Sequence, residues 1–305
     1  MKIIIFFISI FVNLISFNLF AETDYACVRN GSNEITVAAS SSEEIVTDIE
    51  GNTGVSCKEV PDFYKISIYK FALCTANPFA TSTTDLSTCS YFINDDTGVD
   101  MEITYPSSSA LPITALPAAN TYKYAIMVLN SALKIKHSDI YSGSITGKTG
   151  SGKYCWTIDV ATAISGNKTN GSVVSPDSSD TSTLAMDCGS AAGTAAYSIE
   201  YIDSFGENGE TIVTEDTSGF ELNGGTMYAR LLQDDNATRA TSYNNVARIA
   251  ASITFDAAKE VTSASSYTIN FKIQRAVSVD LSSDGSTIWA NKNGADPFKI
   301  FIEVD

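Results

Sequence analysis

Tyr267, Ile269, Phe271 and Ile273 share one parity of a stretch whose other parity is Thr268, Asn270, Lys272 and Gln274. Val277, Val279 and Leu281 carry the same parity on. A period of two is the mark of a β-strand with one buried face. A helix could not bury this set, because alternate residues fall about 200° apart around its axis. The pattern recurs. Tyr64, Ile66 and Ile68 alternate within Asp62–Phe71, and Tyr122–Leu129 is apolar on nearly both faces, as in a central strand. Tyr154–Val160, Ser198–Ile202, Met227–Leu232 and Ile249–Phe255 are shorter strand candidates. Asp284-Gly285 and Gly224-Gly225 supply turn residues between such runs. Helix is suggested only at Ala191–Ala196 and Phe255–Glu260, both short. Many short strands with regular turns predict an all-β chain of sandwich or barrel type.

The start of the chain predicts where it goes. Met1 and Lys2 precede the unbroken apolar run Ile3–Val12, and Leu19-Phe20-Ala21 precedes Glu22. This is the layout of a secretory signal, with cleavage expected after Ala21. The expected location is secreted, periplasmic or cell-surface, with no membrane insertion once the signal is removed. Cys27, Cys57, Cys74, Cys89, Cys155 and Cys188 make an even count behind that signal, which reads as a disulfide framework. Six cysteines allow 15 pairings. Pairing of neighbours, Cys27–Cys57, Cys74–Cys89 and Cys155–Cys188, closes loops rich in turn residues, and a loop of ~15 residues closed in this way is worth ~3 kcal/mol in the chain-entropy model. No C-x-x-C spacing occurs and His137 is the single histidine, so metal ligation by thiolate is not expected.

The expected organisation is a signal peptide at 1–21, a disulfide-braced β domain at 22–165, a Ser/Thr/Gly-rich connection at 166–196 and a cysteine-free β domain at 197–305. A single sandwich carrying a long decorated loop is the alternative. The phrase LPAANTYKYAIMVL resembles the turn-and-strand phrase of immunoglobulin-like domains, in which a tyrosine near the start of a strand anchors a corner. The resemblance implies immunoglobulin-like or related β-sandwich domains, with Tyr122 or Tyr124 as the corner residue, and implies nothing about function.

Charge narrows the partners. The chain has 19 Lys+Arg against 35 Asp+Glu, a net charge of −16, with no basic cluster, so nucleic acid is not expected. The segment ITGKTGSGKY (145–154) nearly matches a phosphate-binding loop. That loop needs a Ser or Thr after its lysine and a helix beyond it. Here Tyr154 follows Lys153 and the strand-like CWTIDV follows Tyr154, so a glycine-rich hairpin turn is expected. Histidine-based hydrolysis would rest on His137 alone, which the polar context KIKHSD places on the surface. No catalytic residue and no cofactor is therefore assigned. Asn94–Glu102 and Asp234-Asp235-Asn236 carry oxygens around turns and could hold calcium or be ordinary solvated turns. Asn30, Asn167, Asn170 and Asn236 begin N-x-Ser/Thr sequons.

The alternating Phe298–Asp305 predicts a terminal strand that completes its own sheet or adds to a neighbour's open edge. By exclusion, the expected role is that of an exported, non-catalytic surface or extracellular structural or adhesive protein, with self-assembly one way to act. The expected partners are protein or glycan at a surface, copies of itself included. A carbohydrate-binding module, with Trp156 and Trp289 as stacking platforms, is the alternative. A carboxylate-dependent glycoside hydrolase is the third reading.

Overall fold

The computed structural model describes residues 26–38, 45–47, 51, 53–105, 111–163, 173–174, 180–205, 207–208, 211–296 and 298–305. The expected signal peptide and most of the Ser/Thr/Gly-rich connection lie outside these residues. The strands that build the two large sheets and a terminal ribbon are β1 (Ser56–Glu59), β2 (Phe63–Cys74), β3 (Cys89–Ile103), β4 (Asn120–Asn130), β5 (Ala132–Lys136), β6 (Ser138–Thr146), β7 (Ser151–Thr157), β8 (Ala161–Ala163), β9 (Val173–Val174), β10 (Met186–Gly189), β11 (Ser198–Tyr201), β12 (Glu215–Leu222), β13 (Gly225–Leu232), β14 (Arg248–Val261), β15 (Tyr267–Lys272), β16 (Val277–Ser283), β17 (Ile288–Ala295) and β18 (Lys299–Val304). Helix among the described residues is confined to 3-10 turns at Thr181–Thr183 and Tyr243–Asn245. The fold is all-β, as expected. Neither suggested helix forms: 191–196 is irregular, and Phe255–Glu260 lies in β14, where β4 and β13 draw it into the sheet.

The ten-stranded sheet is forked, with β2 as its stem. One edge of β2 pairs with β3 from Tyr64↔Ile103 to Cys74↔Cys89. On the other edge, Phe63–Lys65 pair with β5 and Ile68–Cys74 pair with β4. One branch then runs β4-β14-β13-β12 and the other β5-β11-β8-β9. The fork opens at Ser131, between β4 and β5, where Asn130 Oδ1 accepts the Ala132 N–H at 2.9 Å. This fork explains the doubly apolar run in β4. Ala125, Met127 and Leu129 enter one core with Tyr64, Phe71, Ile300 and Ile302. Ile126 and Val128 enter another with Tyr69, Ala72 and Leu232, covered by Phe79 and Leu86 of the 75–88 excursion. Burying each such aliphatic side chain is worth about 2 kcal/mol.

The second sheet has six strands in the order β10-β7-β6-β17-β16-β1. The chain passes from the forked sheet into it through His137, the one residue between β5 and β6. Strands that change sheet at a bend make such corners in packed β-sheets. Cys27, Ile35, Ile45 and Val46 of the N-terminal segment share a core with Tyr141, Ile145, Val279 and Leu281 of this sheet.

The opening alternation forms one long bent hairpin. Pairing runs from Tyr267↔Val304 to Lys272↔Lys299, breaks, and resumes from Val277↔Ala295 to Ser283↔Ile288. Gly285 takes a φ of +86° at the tip, a conformation only glycine adopts without strain. The base of the hairpin packs Ile300 and Ile302 into the core of the forked sheet, and its tip half lies inside the six-stranded sheet. The terminal strand thus pairs within its own chain. Both large sheets draw strands from both sides of residues 166–196, so the expected boundary does not sort the strands.

The disulfides join neighbours, as expected: Cys27–Cys57, Cys74–Cys89 and Cys155–Cys188. The last two staple residues that face each other across β2/β3 and β7/β10. The corner tyrosine is Tyr122, whose hydroxyl donates to Ala118 O at 2.8 Å. Tyr122→Phe keeps the ring and removes the bond. A loss of about 1 kcal/mol in urea unfolding is expected, and an unchanged midpoint would show that the corner contact contributes nothing.

Candidate functional site

The near-match to a phosphate loop is a turn between β6 and β7, and its donors face a carboxylate of the same chain. Asp187 Oδ1 accepts the backbone N–H of Thr149 at 2.9 Å and of Gly150 at 3.0 Å, while the Thr149 hydroxyl donates to Oδ2. Partial burial works against the Asp187 charge, but the Thr149 donors and the N–H groups of Cys188 and Gly150 hold its carboxyl below the usual range. The glycines admit β10. A Cβ on Gly147, Gly150 or Gly152 would lie 2.4, 2.4 or 2.0 Å from the backbone of Cys188 or Gly189. Lys153 reaches Glu34 at 2.7 Å. The spacing that suggests phosphate therefore serves backbone approach beneath the Cys155–Cys188 staple.

The two acidic stretches are internally satisfied. Asn94–Glu102 lies within β3 as a bulged strand rather than a separate loop. The Lys70 ammonium sits 2.6 Å from both Asn94 Oδ1 and Asp96 Oδ1, where a bound cation would otherwise be expected. Asp95 accepts Thr97 and Gly98 N–H groups, Asp100 pairs with Lys65 at 2.7 Å, and Glu102 accepts the Tyr197 hydroxyl. Asp235 accepts the N–H groups of Ala237 and Thr238 in a turn where Asn236 has φ 62°. Asn236 is buried, its Oδ1 taken by Arg248 at 3.1 Å. Among the described residues no group of three His, Cys, Asp or Glu side chains is arranged to hold a metal. Asn167 and Asn170 lie outside the described residues.

His137 is not on the surface. It is 3% exposed at the corner between the sheets, because the chain turns there and points the imidazole inward. Its N–H donates to Thr157 Oγ1 and its carbonyl accepts the Thr157 N–H. Its Nε2 lies 2.6 Å from Asp139 Oδ2, and Asp139 Oδ1 receives Arg29 at 2.6 Å. Arg29 also reaches Glu59 on β1 at 2.9 Å. Burial works against a charge on His137, but Asp139, with Asp62 and Glu59 behind it, holds its pKa above the ordinary value. Burial also opposes the Asp139 charge, which His137 and Arg29 outweigh, so that carboxyl sits low. The four residues clamp the N-terminal segment, β1 and β6 together.

A second ionic group joins the two sheets. Glu200 on β11 binds Lys292 on β17 through Oε1 and the Ala295 N–H through Oε2, and Lys292 lies 3.7 Å from Asp280. Glu200 is 1% exposed. Its burial outweighs Lys292 and pushes its carboxyl from 4.5 up to about 7, while Lys292 stays charged between Glu200 and Asp280. A raised carboxyl pKa stabilises the fold below the unfolded value and loses that contribution as pH rises through the folded one. Relative to Glu200→Gln, the natural protein should lose about 3 kcal/mol between pH 4.5 and 7.5. Parallel pH profiles of urea unfolding would disprove the shift.

One outward face combines aromatic and cationic groups. On the β5 branch, Phe63 pairs with Lys136 and Lys65 with Lys134, while Tyr197, just before β11, falls opposite Lys136. The Lys136 ammonium lies 4.4 Å from the Tyr197 ring centroid and 5.6 Å from that of Phe63. Tyr197 crosses the face to Glu102 on β3, and Lys65 lies 5.9 Å from its ring. Phe63 is 37% exposed. This face was not legible in the sequence, because its members come from three strands. By contrast, Trp156 and Trp289 are half-buried, and Gly189 and Gly193 press against the Trp156 ring.

These features define an all-β, disulfide-stapled chain whose ionic groups are largely internal struts. Among the described residues no helix is long and apolar enough to cross a membrane. The chain matches no known protein family, no curated protein and no solved structure.

Proposed function

We propose that this is an exported, non-catalytic surface or extracellular protein that acts by contact, as a structural or adhesive component. The observation that carries the reading is the use of its reactive side chains. His137 and Asp139, the one histidine–carboxylate pair, face inward, and Asp139 binds Arg29, which in turn binds Glu59 from another segment. Glu200, a carboxyl whose pKa burial raises to about 7, is likewise closed between Lys292 and the Ala295 N–H. The three disulfides suit an oxidising compartment.

Three measurements test this. Mass spectrometry of protein recovered from outside the producing cell should show Glu22 as the first residue; a chain confined to the cytoplasm and retaining Met1 would overturn export. Purified protein beginning at Glu22 should adhere to, or assemble on, extracellular material, as electron microscopy would show. Hydrolysis of a glycoside by that protein, abolished by Glu200→Gln, would overturn the non-catalytic reading and favour the carboxylate enzyme.

A further inference from the structure

We propose that the outward face carrying Phe63, Lys134, Lys136 and Tyr197 binds an acidic polysaccharide, a linear chain of sugars bearing carboxylates. The inference rests on the contact function above and names the ligand class.

The argument starts from charge. On a chain of net charge −16, Lys65, Lys134 and Lys136 sit together on one face. Lys65 stands directly across from Lys134, and like charges in that position destabilise a sheet. Asp100 neutralises Lys65 at 2.7 Å. Lys134 and Lys136 have no carboxylate within 4.0 Å among the described residues. Asp100 also acts on Lys134 from farther off, so three ammonium groups share two carboxylates, Asp100 and Glu102, and the surplus positive charge is complementary to an anionic ligand.

The aromatic rings give the ligand its shape. Phe63 on β2 and Tyr197, the residue just before β11, flank Lys136 on β5 from either side, which places their backbones about 10 Å apart. That is about the length of two sugar units in an extended chain. Lys136 lies between the rings, and Tyr197 is stretched across the sheet to Glu102. A row of ring, ammonium and ring offers apolar ring surface to the sugars and an ion pair to the carboxylate between them.

The test is calorimetric titration of the disulfide-intact protein beginning at Glu22 with oligogalacturonate. Saturable binding that weakens at high salt is expected, with a fully methyl-esterified oligomer binding more weakly. The paired substitution Lys134→Gln/Lys136→Gln, and separately Phe63→Ala, should each weaken binding at least about tenfold, the equivalent of about 1.4 kcal/mol. Lys148→Gln should leave binding unchanged. Circular dichroism and melting temperature identify variants that fold, and Tyr197→Phe, which keeps the platform, should retain binding. No binding by the natural protein, or equal binding by folded face variants, would overturn the proposal. So would a natural dimer in sedimentation that Lys134→Gln/Lys136→Gln dissociates, which would assign the face to a second copy. Any of these results leaves export and assembly, tested separately, unaffected.

Discussion

Gly152→Ala should destabilise the protein by about 3 kcal/mol or more, as expected when a methyl group is forced into closed packing. The added carbon would lie 2.0 Å from Gly189 O, and backbone on a disulfide-linked strand cannot swing aside as a flexible side chain can. β10 would have to lift from β7, straining the Cys155–Cys188 pair that faces across them. Urea unfolding of the oxidised protein measures the loss. Ser151→Ala and Lys148→Ala in the same turn should stay within about 0.5 kcal/mol of the natural protein. If Gly152→Ala is equally silent, the close approach of the two strands is wrong.

The second large effect is expected at Arg29. Removing one partner of a buried ion pair leaves the other uncompensated, at a cost of about 3 kcal/mol. Arg29→Ala would strand Asp139, whose side chain is almost wholly buried, against a single remaining partner in His137. The double change Arg29→Ala/Asp139→Asn should cost less than the sum of the singles, because the stranded charge is gone. The pH dependence has two limbs. The lowered Asp139 pKa gives stability above the ordinary carboxylate range that is lost as pH falls through the folded value. The raised His137 pKa gives stability below its ordinary value that is lost as pH rises through the folded one. The clamp should be strongest in mildly acidic solution, and His137→Gln should remove the alkaline limb and also weaken the acid one, because His137 is the main group holding Asp139 low. Strictly additive losses and an unaltered pH profile would show that the four side chains do not act together.

Much of the fold was legible because burial writes a local pattern. The alternation at 267–281 marks β15 and β16, and the doubly apolar Tyr122–Leu129 marks a strand with a core on each face. β3 was missed in part because Asn94–Glu102 carries acids on both parities, a pattern typical of solvated turns. Its partners, Lys70, Lys65 and Tyr197, lie on other strands. His137 was misplaced for a related reason. Its polar neighbours suggested a surface, while the reason for its burial, a change of sheet, depends on pairings far apart in the chain. The aromatic–lysine face has the same origin: Phe63, Lys136 and Tyr197 become a row only when β2, β5 and β11 align.

The bent hairpin has a consequence for inheritance and engineering. β16 pairs with β1, joining Asp280 to Ser56 and Val277 to Glu59, and β17 joins β6 at Trp289↔Thr146. Neither the cysteine-rich nor the cysteine-free half is therefore a cassette that recombination could move intact into another gene. A fragment ending at residue 196 would expose the unpaired edges of β1 and β6, which invite aggregation. Fusion partners and insertions belong at exposed tips such as Asp284-Gly285, which can be lengthened without parting strands that the two halves hold in common.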